Sequence, residues 1–142
     1  MPSITQRISD LKKIGPVVEI TLTPSINFLQ QMGINLSIAK TVKLLAMIDT
    51  GASGTVISQG MANKLGINPI GTVFINTPSS TNVSCNQFDV QILFPKNVRF
   101  QSVVVIEAPL EGQHIQCLIG RDILQHGVFI YSGYENSFTL SF

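Results

Sequence analysis

The chain has 142 residues, a formal net charge of +1, 44% hydrophobic residues and only 12% charged ones. A single domain of this length buries roughly 70% of its unfolded surface and folds without cross-links, which excludes a two-lobed enzyme within one chain. The charged share is about half that of an ordinary soluble domain, and the scattered Lys and Arg residues form neither a nucleic-acid footprint nor a charged tail.

Met1–Lys13 is mixed polar and has no apolar stretch of signal-peptide type. It reads as a flexible arm ahead of a single domain, 14–142. No apolar run reaches the length of a membrane span. Val17–Thr23 alternates like a strand and ends at Pro24, and Ser25–Met32 reads as a short helix stopped by Gly33. Thr41–Ile48 is a continuous apolar run, the pattern of a strand buried on both faces. Ser58 is placed to cap a helix through Leu65, with Gly66 as its stop. Gly71–Thr77 and Val83–Phe94 flank Pro78-Ser79-Ser80-Thr81-Asn82, so the pair reads as a hairpin. Val98–Ile106, Ile115–Ile119 and Val128–Tyr131 read as strands, with a brief helix from Gly120 through Leu124 to Gly127. The C-terminal strand puts Phe138, Leu140 and Phe142 on one face and Ser137, Thr139 and Ser141 on the other. Short strands with three brief helices predict an all-β barrel or sandwich.

Asp49 ends the apolar run Leu44-Leu45-Ala46-Met47-Ile48 and opens Thr50-Gly51-Ala52-Ser53-Gly54. An isolated Asp-Thr-Gly is most often a turn, its carboxylate bonding nearby backbone N–H groups. A carboxylate at the end of a buried strand is nevertheless costly unless it is paired. About seventy residues downstream, Leu118-Ile119-Gly120-Arg121-Asp122-Ile123-Leu124 again runs from an apolar strand through glycine into a short helix. The two motifs, in this order and with a hairpin between them, resemble the retropepsin family, the single-domain aspartic proteases of retroviral type.

The resemblance spans roughly Pro16 to Phe142 and implies a closed, mostly antiparallel acid-protease barrel with two or three short helices. It implies that Asp49 is the catalytic acid and base, with Thr50 and Gly51 supporting the active-site loop. Gly51, Ala52 and Ser53 would meet substrate, and so would Pro78, Ser79 and Ser80 in a flap over the cleft. Gly120, Arg121 and Asp122 would form the structural motif beneath the site, and the Ser58–Leu65 helix would sit in an insertion. Three departures stand out. Retroviral members usually have an acid where Ser53 stands, so Arg121 must turn to backbone carbonyls or another acid. The flap tip is not glycine-rich, and Pro24–Lys40 is longer than in a retroviral enzyme.

Aspartic proteolysis needs two carboxylates sharing one proton, and the sequence holds one Asp-Thr-Gly. A homodimer supplies the second carboxylate by symmetry, and the sparse surface charge fits a surface covered by a partner. The expectation is a homodimeric aspartic endopeptidase acting on a peptide or protein, with no metal or cofactor and no nucleic-acid or membrane partner. Its rivals are a peptide-binding or assembly module that does not cut, and a latent protease released by trimming Met1–Lys13 or by a partner. Cys85 and Cys117 lie far apart, match no metal spacing and read as reduced thiols, consistent with a cytoplasmic location. His114 and His126 have no triad partners, and Gly51-Ala52-Ser53-Gly54 lacks the spacing of a nucleophile elbow.

Overall fold

The computed structural model describes residues 1–77, 80–110 and 113–142. Seven strands form the main sheet: β2 (Val17–Pro24), β3 (Val42–Ile48), β4 (Val56–Ser58), β5 (Gly71–Thr77), β6 (Ser80–Leu93), β7 (Arg99–Ala108) and β8 (Cys117–Ile119). Their order is β2-β3-β8-β4-β7-β6-β5, and β2 also pairs with β6. That extra pairing closes six strands into a barrel, with β5 left outside as one arm of the β5–β6 hairpin. The β3–β8 and β4–β7 contacts are parallel and the others around the ring antiparallel. The fold is thus the closed, mostly antiparallel barrel expected. No helix among the described residues is long and apolar enough to cross a membrane.

The interior is aliphatic. Ile20, Leu22, Leu44, Ala46, Ile57, Val90, Ile92, Val105, Cys117 and Ile119 point inward from the strands and are buried, each apolar side chain contributing about 1.5–3 kcal/mol for the larger ones. The apolar run before Asp49 is not buried on both faces. In β3 only Leu44, Ala46 and Ile48 are buried, while on the opposite face Leu45 and Met47 are half-buried and Lys43 is exposed. The strand lies in a single-layered barrel wall, whose outer side no second layer covers completely.

Among the described residues, four short α-helices decorate the wall: α1 (Leu11–Ile14), α2 (Ile26–Met32), α3 (Met61–Leu65) and α4 (Arg121–Leu124). The α2 helix starts where expected, with the Ser25 hydroxyl accepting from Phe28 N–H at 3.1 Å, and ends at Gly33. The helix expected from Ser58 begins later, at Met61, because Val56–Ser58 is a strand. Ser58 N–H donates to the Gln116 carbonyl at 2.9 Å, and β4 also pairs with β7. The Pro24–Lys40 stretch folds into α2 and a 3-10 turn at Leu36–Ile38. With Leu65 it lines an apolar cavity of about 350 Å³ whose rim carries Lys40.

A second, three-stranded sheet carries β1 (Ser3–Arg7), β10 (Ser137–Ser141) and β9 (Val128–Ser132) in the order β1-β10-β9. The segment read from its polar composition as an arm therefore belongs to the folded body. Ile4 and Leu11 are buried, Ser3 and Thr5 hydroxyls pair with Ser141 and Thr139 at 2.6 and 2.8 Å, and Leu11 N–H donates to Asn136 Oδ1 at 3.0 Å. Deleting residues 1–13 removes two core side chains and strips one edge of β10. Each such side chain is worth about 2–5 kcal/mol, so the truncated chain is expected to melt at least roughly 10 °C lower. Calorimetry of the two forms checks this; an unchanged melting temperature would restore the reading of a detachable arm.

Candidate active site

The barrel brings the two sequence motifs into direct contact. β3 runs parallel to β8, with Met47 opposite Leu118 and Ile48 opposite Ile119, and β8 pairs on its other side with β4 through Leu118 and Val56. The 49–54 loop connects β3 to β4 and so crosses the end of β8. Asp49 N–H donates to the Ile119 carbonyl at 2.9 Å, continuing the ladder by one residue.

The local chemistry of Asp49 is that of a turn, and it also orients the carboxylate. Gly51 N–H donates to Asp49 Oδ1 at 2.9 Å, and Ala52 N–H to the Asp49 carbonyl at 3.2 Å. The second carboxylate oxygen has no partner among the described residues. Asp49 is half-buried, whereas Thr50 and Gly51 beyond it are exposed. A Cβ on residue 51 would sit 3.2 Å from Asp49 Oδ1, closer than ordinary contact. Glycine there leaves the carboxylate room to keep this orientation. The Thr50 hydroxyl has no partner among the described residues; Ser53 is exposed and Ala52 half-buried.

Beneath the loop, the Gly120-Arg121-Asp122 motif holds it from below. Arg121 Nη1 donates to the Thr50 carbonyl at 2.7 Å, so in the absence of an acid at position 53 the guanidinium binds backbone. Arg121 N–H and Asp122 N–H donate to the carbonyls of Ala52 and Ser53 at 2.9 and 3.2 Å. Asp122 Oδ1 accepts from the Thr55 hydroxyl at 2.8 Å and from Ile123 N–H at 2.9 Å, while Oδ2 accepts from Thr55 N–H at 3.1 Å. Both oxygens of Asp122 are thus occupied in bracing the loop. Gly120 N–H closes the network on the Thr55 hydroxyl at 3.2 Å.

Thr55 was missed by sequence reasoning. It is fully buried, and next to the first motif it bonds both Asp122 and Gly120 of the second. The signal for it lay in Asp122, a carboxylate two residues after the glycine that ends an apolar strand, which needs donors from elsewhere in the chain. Val56 and Leu118 were missed too. Facing each other across β4 and β8, both half-buried, they form an apolar strip on the wall's outer face, the face that Asp49 shares by strand alternation.

Of the residues expected in the flap, Pro78 and Ser79 lie outside the described residues. Ser80 opens β6 opposite Thr77. Asn82 N–H donates to Asn76 Oδ1 at 3.1 Å across the hairpin, which also carries a register shift between Ile75 and Thr77. The cysteines are free and buried. Burial, and secondarily the Asp122 charge, pushes the Cys117 thiol far up; burial, and secondarily Glu107, raises that of Cys85. Both therefore stay neutral, and neither is a candidate nucleophile. His126 packs its ring on Phe100 at 6.1 Å between centroids, and His114 is exposed.

The family model described as "gag-polyprotein putative aspartyl protease" matches residues 34–126, a span that includes both motifs. No curated protein matches the chain. Among solved structures, a retropepsin-like aspartic protease from Rickettsia conorii is 19% identical, with 87% of this chain and 90% of that one covered at a TM-score of 0.50. The EIAV protease, complexed with the inhibitor HBY-793, is 20% identical, with 84% and 92% covered at a TM-score of 0.54. At such identities the likeness carries the fold, while the family rests on the sequence match across the two motifs. The chain belongs to the gag-polyprotein aspartyl protease family and has the retropepsin-like fold.

Proposed function

We propose that the protein is an aspartic endopeptidase whose dyad is formed by Asp49 of two identical chains. The observation that carries this reading is the Asp49 carboxylate itself: one oxygen is held by Gly51 N–H, the other has no partner among the described residues, and the half-buried group stands beside the exposed Thr50 and Gly51. Brought together across a two-fold axis, two such carboxylates cannot both ionise, so the pair holds one proton. The ionised member takes a proton from a water molecule as it attacks the scissile carbonyl carbon. The protonated member hydrogen-bonds the carbonyl oxygen and neutralises the developing charge. Collapse of the tetrahedral diol breaks the C–N bond, with a dyad proton passing to the leaving nitrogen.

Substrate would lie extended between the wall and the β5–β6 hairpin, bound by backbone hydrogen bonds and apolar pockets. The apolar Val56–Leu118 strip supports that mode, and so do the exposed backbone groups of Thr50 and Gly51. Ala52 and Ser53 follow directly along the same loop, and Pro78, Ser79 and Ser80 would close from above. The neutral, buried thiols fit a reducing compartment such as the cytoplasm. The rival reading keeps the groove but not the chemistry.

Cleavage of a peptide library between about pH 4 and 7 separates the two, because a one-proton dyad gives a bell-shaped profile. Specific activity should also rise with enzyme concentration until the dimer saturates. Binding without cleavage across that range, at concentrations where the chain is dimeric, would favour the non-catalytic module.

A further inference from the structure

The Pro24–Lys40 stretch and α3 enclose a space that the site at Asp49 does not use. Phe28, Leu29, Met32, Ile34, Ile38 and Leu65 are among its walls, and of the described residues that line it Lys40 alone carries a side chain able to donate a hydrogen bond. At about 350 Å³ it falls within the range of small-molecule sites. Its mouth is apolar: Met32 and Ile38 are 61% and 75% exposed. The Lys40 ammonium stands there over the end of α3, where a Cβ on residue 66 would lie 3.4 Å from Nζ. No described acid lines the cavity, and among the described residues the one ion pair joins Lys43 to Glu19, so the Lys40 charge is unpaired. The barrel fixes the position of the cavity. Pro24 ends β2 and Lys40 precedes β3, where Leu22 pairs with Val42, whereas Asp49 follows the opposite end of β3. The length of β3 puts roughly 20 Å between the two.

We infer that this cavity is a binding site for a single unbranched acyl chain with a carboxylate head, the chain laid among the apolar walls and the carboxylate on the Lys40 ammonium. The site is separate from the protease reading and does not depend on it. The interior sets the body of the ligand. A peptide would bring an amide at every residue, and the lining side chains offer those amides nothing to bond, so their burial would be costly. A hydrocarbon chain has no such groups, and each buried methylene strengthens binding roughly fourfold. The mouth sets the head. A lone ammonium is a compact point charge suited to one negative charge, whereas a phosphate carries closer to two and is best met by a fork of donors. The volume sets the number of chains: about 350 Å³ admits one short chain and leaves no room for a two-chain lipid.

Calorimetric titration of the whole chain with hexanoate, octanoate and decanoate, each below its micelle concentration, tests the site. Affinity is expected to rise at least roughly tenfold for each pair of methylenes added, until the cavity is full. Decanoate should bind about fivefold tighter than decanol, the advantage of a partly exposed ion pair. Lys40→Glu changes an exposed side chain and leaves the core untouched. It should weaken decanoate at least about tenfold and turn the preference to decylammonium. Ala39→Phe, which fills the cavity from its wall, should abolish binding while circular dichroism stays unchanged. Absence of decanoate binding at about 1 mM, the weak end of the affinity scale, overturns the site. So does binding that survives Ala39→Phe, since the ligand then lies elsewhere. Equal affinity for decanoate and decanol, or decanoate binding unmoved by Lys40→Glu, overturns the carboxylate head. None of these results touches Asp49, whose chemistry is read by peptide cleavage.

Discussion

Asparagine in place of Asp49 is expected to abolish peptide cleavage while leaving the fold and the dimer in place. The amide keeps an oxygen for Gly51 N–H, which donates to Asp49 Oδ1 at 2.9 Å, so the turn survives. What it loses is the ability to take a proton from water or pass one to the leaving nitrogen. General acid–base catalysis by a positioned side chain contributes about 10²–10⁴-fold, and in a symmetric dimer the substitution removes both members of the pair at once. The loss should therefore be at least about 10³-fold in kcat/KM. Dimer affinity should hold or rise, because two carboxylates no longer compete for one proton. Residual activity within tenfold of wild type, in protein shown to be free of contaminating protease, would remove Asp49 from the chemistry. Loss of activity together with loss of the dimer would assign Asp49 to assembly instead.

The parts of the fold legible in the sequence were those whose chemistry is local. Asp49 and Gly51 lie within three residues, and Gly120, Arg121 and Asp122 are contiguous, so each motif could be read before its partner was known. The short helix that stops at Gly33 and the pairing of β5 with β6 were likewise written into adjacent residues. What stayed hidden was set by distant pairing. β4 is only three residues long, and alternation needs more than that to be seen. Its strand character comes from β7 and β8, and without them Ser58 reads as a helix cap. β1 has a single apolar residue, Ile4, and its identity as a strand depends on β10, more than 130 positions away. Thr55 carries no signal of its own, since its role arises only when Asp122 folds against it. The half-exposed side of β3 was hidden for a related reason: five consecutive apolar residues suit a doubly covered strand and a barrel wall equally. The wall's outer face, with Met47, Leu118 and Val56, is the one that carries the candidate site.

Gly120→Ala is expected to damage both stability and activity, and the contrast with Gly54→Ala shows why. A Cβ on residue 120 would lie 2.5 Å from the Gly54 carbonyl oxygen, 2.6 Å from its carbon and 3.1 Å from the Ala52 oxygen. All three atoms are backbone, so no side chain can swing aside, and relief requires the 49–54 loop to move away from β8. Overpacking costs typically about 1–3 kcal/mol, and a rigid backbone contact belongs at the upper end. Displacement also pulls on the Ala52 carbonyl bonded to Arg121 N–H and on the Gly120 N–H bond to Thr55. Those bonds fix the loop on which Asp49 sits, and a shift of about 1 Å at a catalytic group costs on the order of 10²-fold in rate. Gly54 itself has open space where its Cβ would be and no positive φ, so Gly54→Ala should change stability by no more than about 0.5 kcal/mol. Thermal melts of the two variants, with kcat/KM measured at a temperature where both are folded, check the pair. Equal melting temperatures for Gly120→Ala and wild type would mean that the loop tolerates displacement, and the orientation of Asp49 would then have to come from the dimer rather than from the chain itself.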